Sequence, residues 1–479
     1  MDIRDHGDGT TRPGIGSDRM ASGRRWRGRL ARRARIIVAA LLAAVVALGA
    51  GGAVWWTVGG GKYTVRLMGR APATPATQDA VDAVTGFAYR SAPRFLAEGD
   101  GDGNANYSPA SMWMALALAA QGTGGETRAQ LDEALGGGRL TDEDYTSLRS
   151  SVNGRYGDAR SVMDMRDSVW VDSRYTLKET FRQAARDRFD ADVESLAFDG
   201  RAERRMSRWI EDNTRGMLAP DISLNADTML SIIDTVYADG RWSTPFEPED
   251  TEDGTFHGLS SERNVPMMFH SFDSLGYAKA GDDSWQRVSI PFDNGGVLTI
   301  LLPAEGRFDE FASGSARLQW AMSACSPRET GDEAPVCGAN ADTDSSGAAT
   351  SEVAADATRV HLTLPRFSID GMLSPAVASD TLRSMGVTDA FSAGTADFSG
   401  MLEPDDLPGS PFLGEIIQGT RIEVNEQGAK AAAFTQMQME AGSAPLIGDE
   451  VTLVVDRPFL YELDTPDGVP LFIGAVRNL

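Results

Sequence analysis

The residue types that most often carry catalysis or bind metals are rare in this chain of 479 residues. Its four histidines are His6, His257, His270 and His361. None lies in a nucleophile elbow, in a zinc-binding helix motif or in a Cys–His arrangement. No phosphate-binding glycine loop is present, and no spacing among the many carboxylates singles out an acid/base pair. We therefore expect that the protein is not an enzyme and that it uses no cofactor or metal.

The two cysteines, Cys325 and Cys337, lie in an acidic stretch rich in Gly, Ala, Ser and Thr. They form no C-x-x-C pair and have no histidine nearby, which argues against zinc. Two interpretations are open: a disulfide that closes a surface loop outside the cell, or two free thiols. The net charge of -24 favours solubility and argues against nucleic acid as a partner.

The most informative stretch runs from Arg421 to Phe459 and contains an alanine run that follows Gly428. Alanine normally favours a helix, but no apolar stripe with a 3.6-residue period is present here. With a period of two, one face carries only small residues, namely Ala429, Ala431, Ala433 and Thr435. The other face carries Lys430, Ala432, Phe434 and Gln436. This pattern predicts a strand that can slip between two others over a packed layer.

The same stretch resembles the hinge and reactive loop of the serpins, whose pattern is roughly V-N-E-x-G-T-x-A-A-A-A-T. The matching residues are Val424, Asn425, Glu426, Gly428, Ala431, Ala432, Ala433 and Thr435. Ala429 stands where the family has threonine, and Phe434 replaces a small residue on the outward face. The resemblance, to a bacterial serpin of the membrane-anchored or secreted type, implies a metastable α+β fold. That fold has a large central, mainly antiparallel sheet, additional sheets, about eight or nine helices and an exposed reactive loop.

A second set of residues resembles the part of the serpin sheet that opens, called the shutter. Ser108 and Ser111 match the family's small hydroxyl residues beneath the sheet, and Ser108 with Pro109 also predicts the start of a helix. Asp234 replaces the family's asparagine and Gln418 its histidine. An amide donor can serve a carboxylate, so we expect Gln418 and Asp234 to join. Because glutamine replaces the family's histidine, we also expect the histidine's response to pH to be lost.

Further motifs extend the resemblance over residues 79–479. Trp242, in a segment similar to the family's G-x-W-x-x-P-F, corresponds to the breach of the sheet. Helices are predicted over Asp79 to Leu96, Met112 to Gln121 and Phe308 to Ala324. The stretch from Cys325 to Thr358 is a low-complexity insert that the family lacks.

The first 78 residues differ from the rest in composition. Residues 1–35 end in seven arginines between Arg24 and Arg35, and residues 36–58 carry no charge. Such a run can span a bilayer as a helix, with the basic tail in the cytoplasm and residues 59–78 as an external linker. A cleaved signal peptide is the alternative. We expect a single-pass membrane protein with its serpin domain outside the cell, or a secreted protein if the signal is removed.

The resemblance implies inhibition by a suicide mechanism, in which a protease cleaves the loop and is trapped as an acyl-enzyme. Family spacing from Glu426 places the reactive bond between Gly442 and Ser443, with Ala441 and Ala444 as the alternatives. These small residues predict an elastase-like serine protease as partner. Met439 or Leu446 would instead suit chymotrypsin-like or broader, subtilisin-like enzymes, whereas the lack of nearby basic residues disfavours trypsin-like ones. We expect a monomer.

Two other functions share the same motifs. A non-inhibitory binding or chaperone module at the cell surface would be expected to carry bulky or charged residues on the inward face of the hinge, which this chain lacks. A surface adhesin that reuses the fold is the other alternative.

Overall fold

The computed structural model describes residues 55–58, 63–66, 71–97, 103–138, 140–224, 228–323, 359–373, 375–403, 412–413, 416, 418–429 and 450–479. Within these residues the chain forms nine α-helices. They are α1 (Gln78–Leu96), α2 (Pro109–Ala120), α3 (Gly125–Ala134), α4 (Asp142–Asn153), α5 (Glu179–Phe189), α6 (Gly200–Asn213), α7 (Phe308–Ala312), α8 (Ser315–Ser323) and α9 (Pro375–Ser384). Short 3-10 turns cover Pro248–Asp250 and Asp389–Phe391.

The described strands in chain order are β1 (Trp55–Val58), β2 (Tyr63–Arg66), β3 (Ala105–Tyr107), β4 (Val162–Asp172), β5 (Asp192–Leu196), β6 (Leu230–Arg241), β7 (Glu252–His257), β8 (Glu262–Phe272), β9 (Gly276–Lys279), β10 (Trp285–Pro291), β11 (Val297–Pro303), β12 (Arg359–Pro365), β13 (Phe367–Leu373), β14 (Gln418–Asn425), β15 (Gly428–Ala429), β16 (Glu450–Val454), β17 (Phe459–Asp464) and β18 (Pro470–Val476).

Three sheets build the body of the protein. The central sheet has six strands in the order β13-β14-β15-β6-β4-β5. Its strands pair antiparallel except for β4 and β5, which pair parallel. A second six-stranded sheet has the order β3-β18-β17-β11-β10-β9, and a four-stranded sheet has the order β16-β12-β8-β7. The predicted fold class, α+β with a large mainly antiparallel sheet, is confirmed.

Helix α2 lies in the core between the first two sheets. Its sequence is almost entirely apolar. Of its 12 residues, Pro109 to Ala120, 11 are buried and only Ala115 is not. It contacts β6 of the central sheet and β18 of the second sheet. The N-terminal end of this helix is thereby fixed beneath the central sheet.

Strand β14 has one buried and one partly exposed face. Gln418, Thr420, Ile422 and Val424 are buried, and the residues between them are half-buried. This alternation is the period-two pattern of a strand that covers the core with one face. Gln418 thus points towards the core from the beginning of the strand.

Two predictions about local structure are corrected. The helix predicted over Phe308 to Ala324 is two helices, α7 and α8, separated at Ser313 and Gly314. Glycine lowers helix stability, which favours a break at Gly314. The position also has no room for a side chain, since an added Cβ would lie 2.8 Å from the Glu310 carbonyl oxygen. Ser108 is the N-cap of α2, but its side chain makes no capping hydrogen bond.

The N-terminal hydrophobic run is described only at its end. Trp55–Val58 is strand β1, paired with β2 in a two-stranded sheet, so the predicted helix does not include these residues. No helix within the described residues has the length and apolar character to cross a bilayer. Residues 1–54, and with them most of the predicted anchor, lie outside the described residues, as do Cys325 and Cys337.

Candidate functional site

The segment predicted to be the hinge forms a two-residue strand inside the central sheet. After β14 the chain turns at Glu426 and Gln427, and β15 pairs back onto β14 with Gly428 opposite Asn425. On its other side β15 pairs with β6, with Gly428 opposite Arg241. β15 therefore lies between the two long strands β14 and β6, and Ala429 is buried there.

Gly428 fits this place because it has no side chain. Its φ of 155° is one that L side chains rarely adopt. A Cβ added there would lie 1.8 Å from the Gly240 carbonyl oxygen on β6. The close approach of the two backbones depends on this glycine.

Glu426 is the buried anchor of the turn. Its carboxylate accepts hydrogen bonds from Arg366 Nε at 2.7 and 2.9 Å and from Thr251 Oγ1 at 2.7 Å. Its carbonyl oxygen accepts from the Phe246 amide at 3.0 Å. Burial alone would raise the pKa of Glu426, but the hydrogen bonds from Arg366 and Thr251 outweigh it and hold that pKa below its usual value. The turn is held by a charged pair at all but acidic pH.

Trp242 packs beside the same turn. Its amide donates to the Gln427 carbonyl at 3.1 Å, and its indole Nε1 donates to the Asn425 carbonyl at 2.9 Å. The indole is 3 % exposed and stacks on Phe292, with the ring centroids 4.8 Å apart. The residue assigned to the breach thus contacts the hinge directly.

Away from β15, the facing edges of β6 and β14 have no strand between them in the described part of the chain. β15 pairs only with Gly240 and Arg241 of β6. A cavity of about 730 Å³ adjoins both strands, lined mainly by apolar side chains of α2, β6 and the segment after α6. Strand edges carry unpaired N–H and C=O groups, which can accept a further strand.

The four residues predicted to form the shutter meet at the N-terminal turn of α2. Gln418 binds the Ser108 backbone twice: its Oε1 accepts from the amide at 3.0 Å, and its Nε2 donates to the carbonyl at 2.9 Å. Gln418 Nε2 also lies 3.2 Å from Ser111 Oγ, which donates to Asp234 Oδ2 at 2.5 Å. The expected direct bond between Gln418 and Asp234 is replaced by this bridge through Ser111.

Asp234 is a buried acid, and a second one faces it. Asp167 on β4 lies directly opposite Asp234 in the β4–β6 register. The two residues are 3 % and 7 % exposed, respectively. Burial raises the pKa of Asp234 to about 7, against a smaller lowering by the Ser111 hydrogen bond. The expected loss of the histidine's own response to pH stays a prediction, and the raised pKa of Asp234 adds a second titratable group to the shutter.

The chain after the loop rejoins the protein at the edge of the four-stranded sheet. Glu450 opens β16, which pairs parallel with β12. The Glu450 carboxylate lies 2.5 Å from His361 Nε2, and Ser271 Oγ lies 2.7 Å from His361 Nδ1. Residues 430–449 therefore connect the central sheet to a different sheet.

The structure thus places the predicted residues in two groups, the hinge with Trp242 and the shutter. Arg366 and Asp167 were not recognised from the sequence, because each acts on a partner from a distant part of the chain. The remaining predicted residues lie outside the described residues: Ala431, Ala432, Ala433, Thr435, Ala441, Gly442, Ser443 and Ala444.

Comparison with known proteins agrees with this geometry. Residues 82–479 match the family model described as Serpin (serine protease inhibitor). Antitrypsin of Bombyx mori is 28% identical over 375 residues, which cover 76% of this chain and 85% of that protein. Serpin-ZXA of Oryza sativa subsp. japonica is 29% identical over 378 residues, covering 76% and 87%.

Solved structures share the fold. The thermophilic serpin tengpin in its native state superposes with a TM-score of 0.67 at 22% identity, covering 85% of this chain and 97% of that one. A thyroxine-binding globulin complex with thyroxine gives a TM-score of 0.64 at 18% identity, covering 84% and 99%. The shared fold therefore includes a protein whose described ligand is a small molecule.

Proposed function

Because this chain belongs to the serpin family, we propose that it inhibits extracellular serine proteases as a suicide substrate. The observation that carries the proposal is β15, a strand of two residues already paired on both sides between β14 and β6. An inhibitor of this kind needs a loop that can continue into its sheet. The direction of β15, and the edges of β6 and β14 that no described strand fills beyond it, support that route.

The covalent chemistry is that of an interrupted hydrolysis. The protease's serine oxygen attacks the Gly442 carbonyl carbon, and the bond from that carbon to the Ser443 nitrogen breaks. Ser443 leaves as a free amine, and Gly442 stays attached to the protease as an ester. Insertion of the loop from Ala429 onwards then carries the protease away before water cleaves the ester.

The residues around the proposed bond support an elastase-like target. Ala441, Gly442, Ser443 and Ala444 are all small, so they fit a shallow specificity pocket. Chymotrypsin-like and subtilisin-like enzymes are the secondary candidates, through Met439 or Leu446. The inhibitor acts as a monomer in this proposal, since the loop inserts into its own sheet.

We also propose that the inhibitory domain is held outside the cell by its N-terminus. The apolar run before β1, residues 36–54, is about 19 residues or roughly 28 Å as a helix, close to the thickness of a bilayer core. The arginines that precede it favour a cytoplasmic N-terminus. A secreted form, with the run removed as a signal peptide, serves the same function.

The test is to incubate the full chain with an elastase-like serine protease and analyse the mixture on a denaturing gel. We expect a covalent band that survives denaturant, and a C-terminal peptide whose mass places its first residue at Ser443. Cleavage outside Ala441 to Ala444 would contradict the assigned bond. Cleavage without a covalent band by elastase-like, chymotrypsin-like and subtilisin-like enzymes would overturn inhibition and favour a binding or chaperone module.

A further inference from the structure

Strands β6 and β14, which flank β15 in the central sheet, are both tied to the same turn of α2. β14 is tied by the two hydrogen bonds between the Gln418 amide group and the Ser108 backbone. β6 is tied by the hydrogen bond from Ser111 to Asp234. Any separation of β6 from β14 must release at least one of these ties.

The two ties differ in how they respond to pH. The Gln418 amide does not titrate, so its two bonds to Ser108 are the same from acidic to alkaline pH. Asp234 does titrate, and its only hydrogen bond given by the described residues comes from Ser111. Protonation of Asp234 therefore changes the β6 side of the shutter, whereas the β14 side stays the same.

The surroundings of Asp234 hold a neutral acid better than a charged one. From β4, Asp167 faces it, and one Asp167 oxygen, Oδ1, has no hydrogen-bond partner among the described residues. From β3, Tyr107 faces the same region: burial raises the pKa of its phenol, and the nearby Asp234 charge raises it further. Burial raises the pKa of both Asp234 and Asp167.

The basic groups nearby act on other acids. Arg149 of α4 and Arg166 of β4 lie near Asp167, as does the carboxylate of Asp190. At the cavity wall, Arg421 of β14 forms an ion pair with Asp370 of β13 at 3.0 Å. Asp234 itself has no ion pair with any of the described residues.

We propose that Asp234 is a protonation-dependent latch on the central sheet and a positioning residue for loop insertion. A neutral Asp234 is tolerated in the closed, buried position. An ionised Asp234 accepts the Ser111 hydrogen bond more strongly, but burial of its charge costs more than this bond returns, so ionisation favours separation of the strands, where water reaches the carboxylate. The effect on loop insertion rests on the proposed function, whereas the effect on sheet opening does not.

The direction of the pH effect follows from proton linkage. In the closed sheet Asp234 holds its proton up to about pH 7, and in water an aspartic acid loses it near pH 3.9. The closed state therefore binds more protons than the open state between these values. Its advantage is full at acidic pH and falls as pH rises through about 7. We expect the sheet to open more readily at mildly alkaline pH.

Hydrogen–deuterium exchange of peptides from β6 and β14 measures this opening without any protease. Exchange in the full chain is compared with exchange in an Asp234→Asn variant at the same pH, so that the intrinsic chemistry of exchange cancels. With a pKa of about 7 in the closed sheet and about 3.9 in the open one, the opening constant relative to the variant should rise on the order of 80-fold between about pH 5 and about pH 8. Asp253→Asn, at an exposed position of β7, is the matched control. In this variant, the opening constant of β6 and β14 should change with pH as it does in the wild type.

A second comparison needs no folded variant. In the wild type alone, exchange in β6 and β14 should rise with pH relative to helix α3, once each is corrected by its unfolded-chain rate. A ratio that stays flat or falls between the two pH values would overturn the latch. A flat ratio together with a covalent protease complex would overturn the latch alone, whereas a rise on the order of 80-fold without that complex would support the latch and reject inhibition.

Discussion

The hinge depends on individual residues because the backbones of three strands meet there. Gly428 lies so close to Gly240 that a methyl group would collide with a carbonyl oxygen. Glu426, only 6 % exposed, is neutralised by Arg366 and hydrogen-bonded by Thr251, so the turn between β14 and β15 has one defined arrangement. These contacts decide where the loop begins its path into the sheet.

Replacing Gly428 with alanine should loosen the docked hinge. The new Cβ would clash with the Gly240 carbonyl, and the backbone would also leave a conformation that suits glycine. Overpacking of this kind costs about 1–3 kcal/mol. We expect the free energy of unfolding in urea, followed by tryptophan fluorescence, to fall by that amount.

Gly86→Ala is the matched control for this change. Gly86 lies inside α1, and an added Cβ would meet nothing within 4 Å. Alanine in a helix interior is favoured over glycine by about 0.5–1 kcal/mol, so this variant should be as stable as the wild type or slightly more so. Equal stability of both variants would contradict the close approach at Gly428.

At the residue scale, the sequence identified the members of the site but not their bonds. The hinge and shutter patterns named Glu426, Gln418 and Asp234, because these positions have characteristic neighbours along the chain. The bridge through Ser111 and the pair formed by Glu426 and Arg366 depend on contacts between distant segments. No local pattern specifies such contacts, so they became visible only in the folded structure.

At the scale of elements, β15 is the first part of a strand that the sequence predicted to be longer. The period-two pattern placed Ala429 on the inward face, and this residue is buried in the sheet. The helix predicted over Phe308 to Ala324 is instead α7 and α8, with a break at Ser313 and Gly314 that the prediction did not include. Elements with a clear period were therefore predicted well, and their ends were not.

If the loop continues as a strand beyond β15, a charge on its inward face should block insertion. Ala431→Glu would place a carboxylate on the same side as the buried Ala429, where an unpaired charge is strongly disfavoured. We expect this variant to be cleaved as an ordinary substrate. The number of inhibitor molecules consumed per protease molecule should rise about tenfold or more, because a loss of about 1.4 kcal/mol already changes a rate ratio tenfold.

Ala432→Glu provides the control at the neighbouring position. Its side chain would lie on the opposite, outward face of the strand and stay in water. This variant should keep the covalent complex of the wild type on a denaturing gel. Equal loss of the complex in both variants would mean that the loop does not insert with the period of a strand.

At the scale of the whole molecule, the described strands leave part of the central sheet between β6 and β14 unfilled. β6 and β14 face each other over several residues, yet the described strand between them covers only two positions. The segment that could fill this space is joined at its other end to β16, so it cannot fully insert while both ends are held. Cleavage of residues 430–449 would remove that restraint.

Cleavage in the loop should therefore stabilise the protein. A strand that fills the space would add on the order of ten backbone hydrogen bonds, each worth about 0.5–1.5 kcal/mol net. Since 1 kcal/mol moves the melting temperature of a large domain by about 2 °C, we expect a rise in Tm of at least about 10 °C. Calorimetry before and after limited cleavage by a non-target protease measures this rise in Tm.

The cleaved Ala431→Glu variant should show a smaller rise, because its charged strand resists insertion. An unchanged Tm in the cleaved wild type would mean that the space between β6 and β14 does not receive the loop, and that the two-residue strand β15 is the full extent of its insertion.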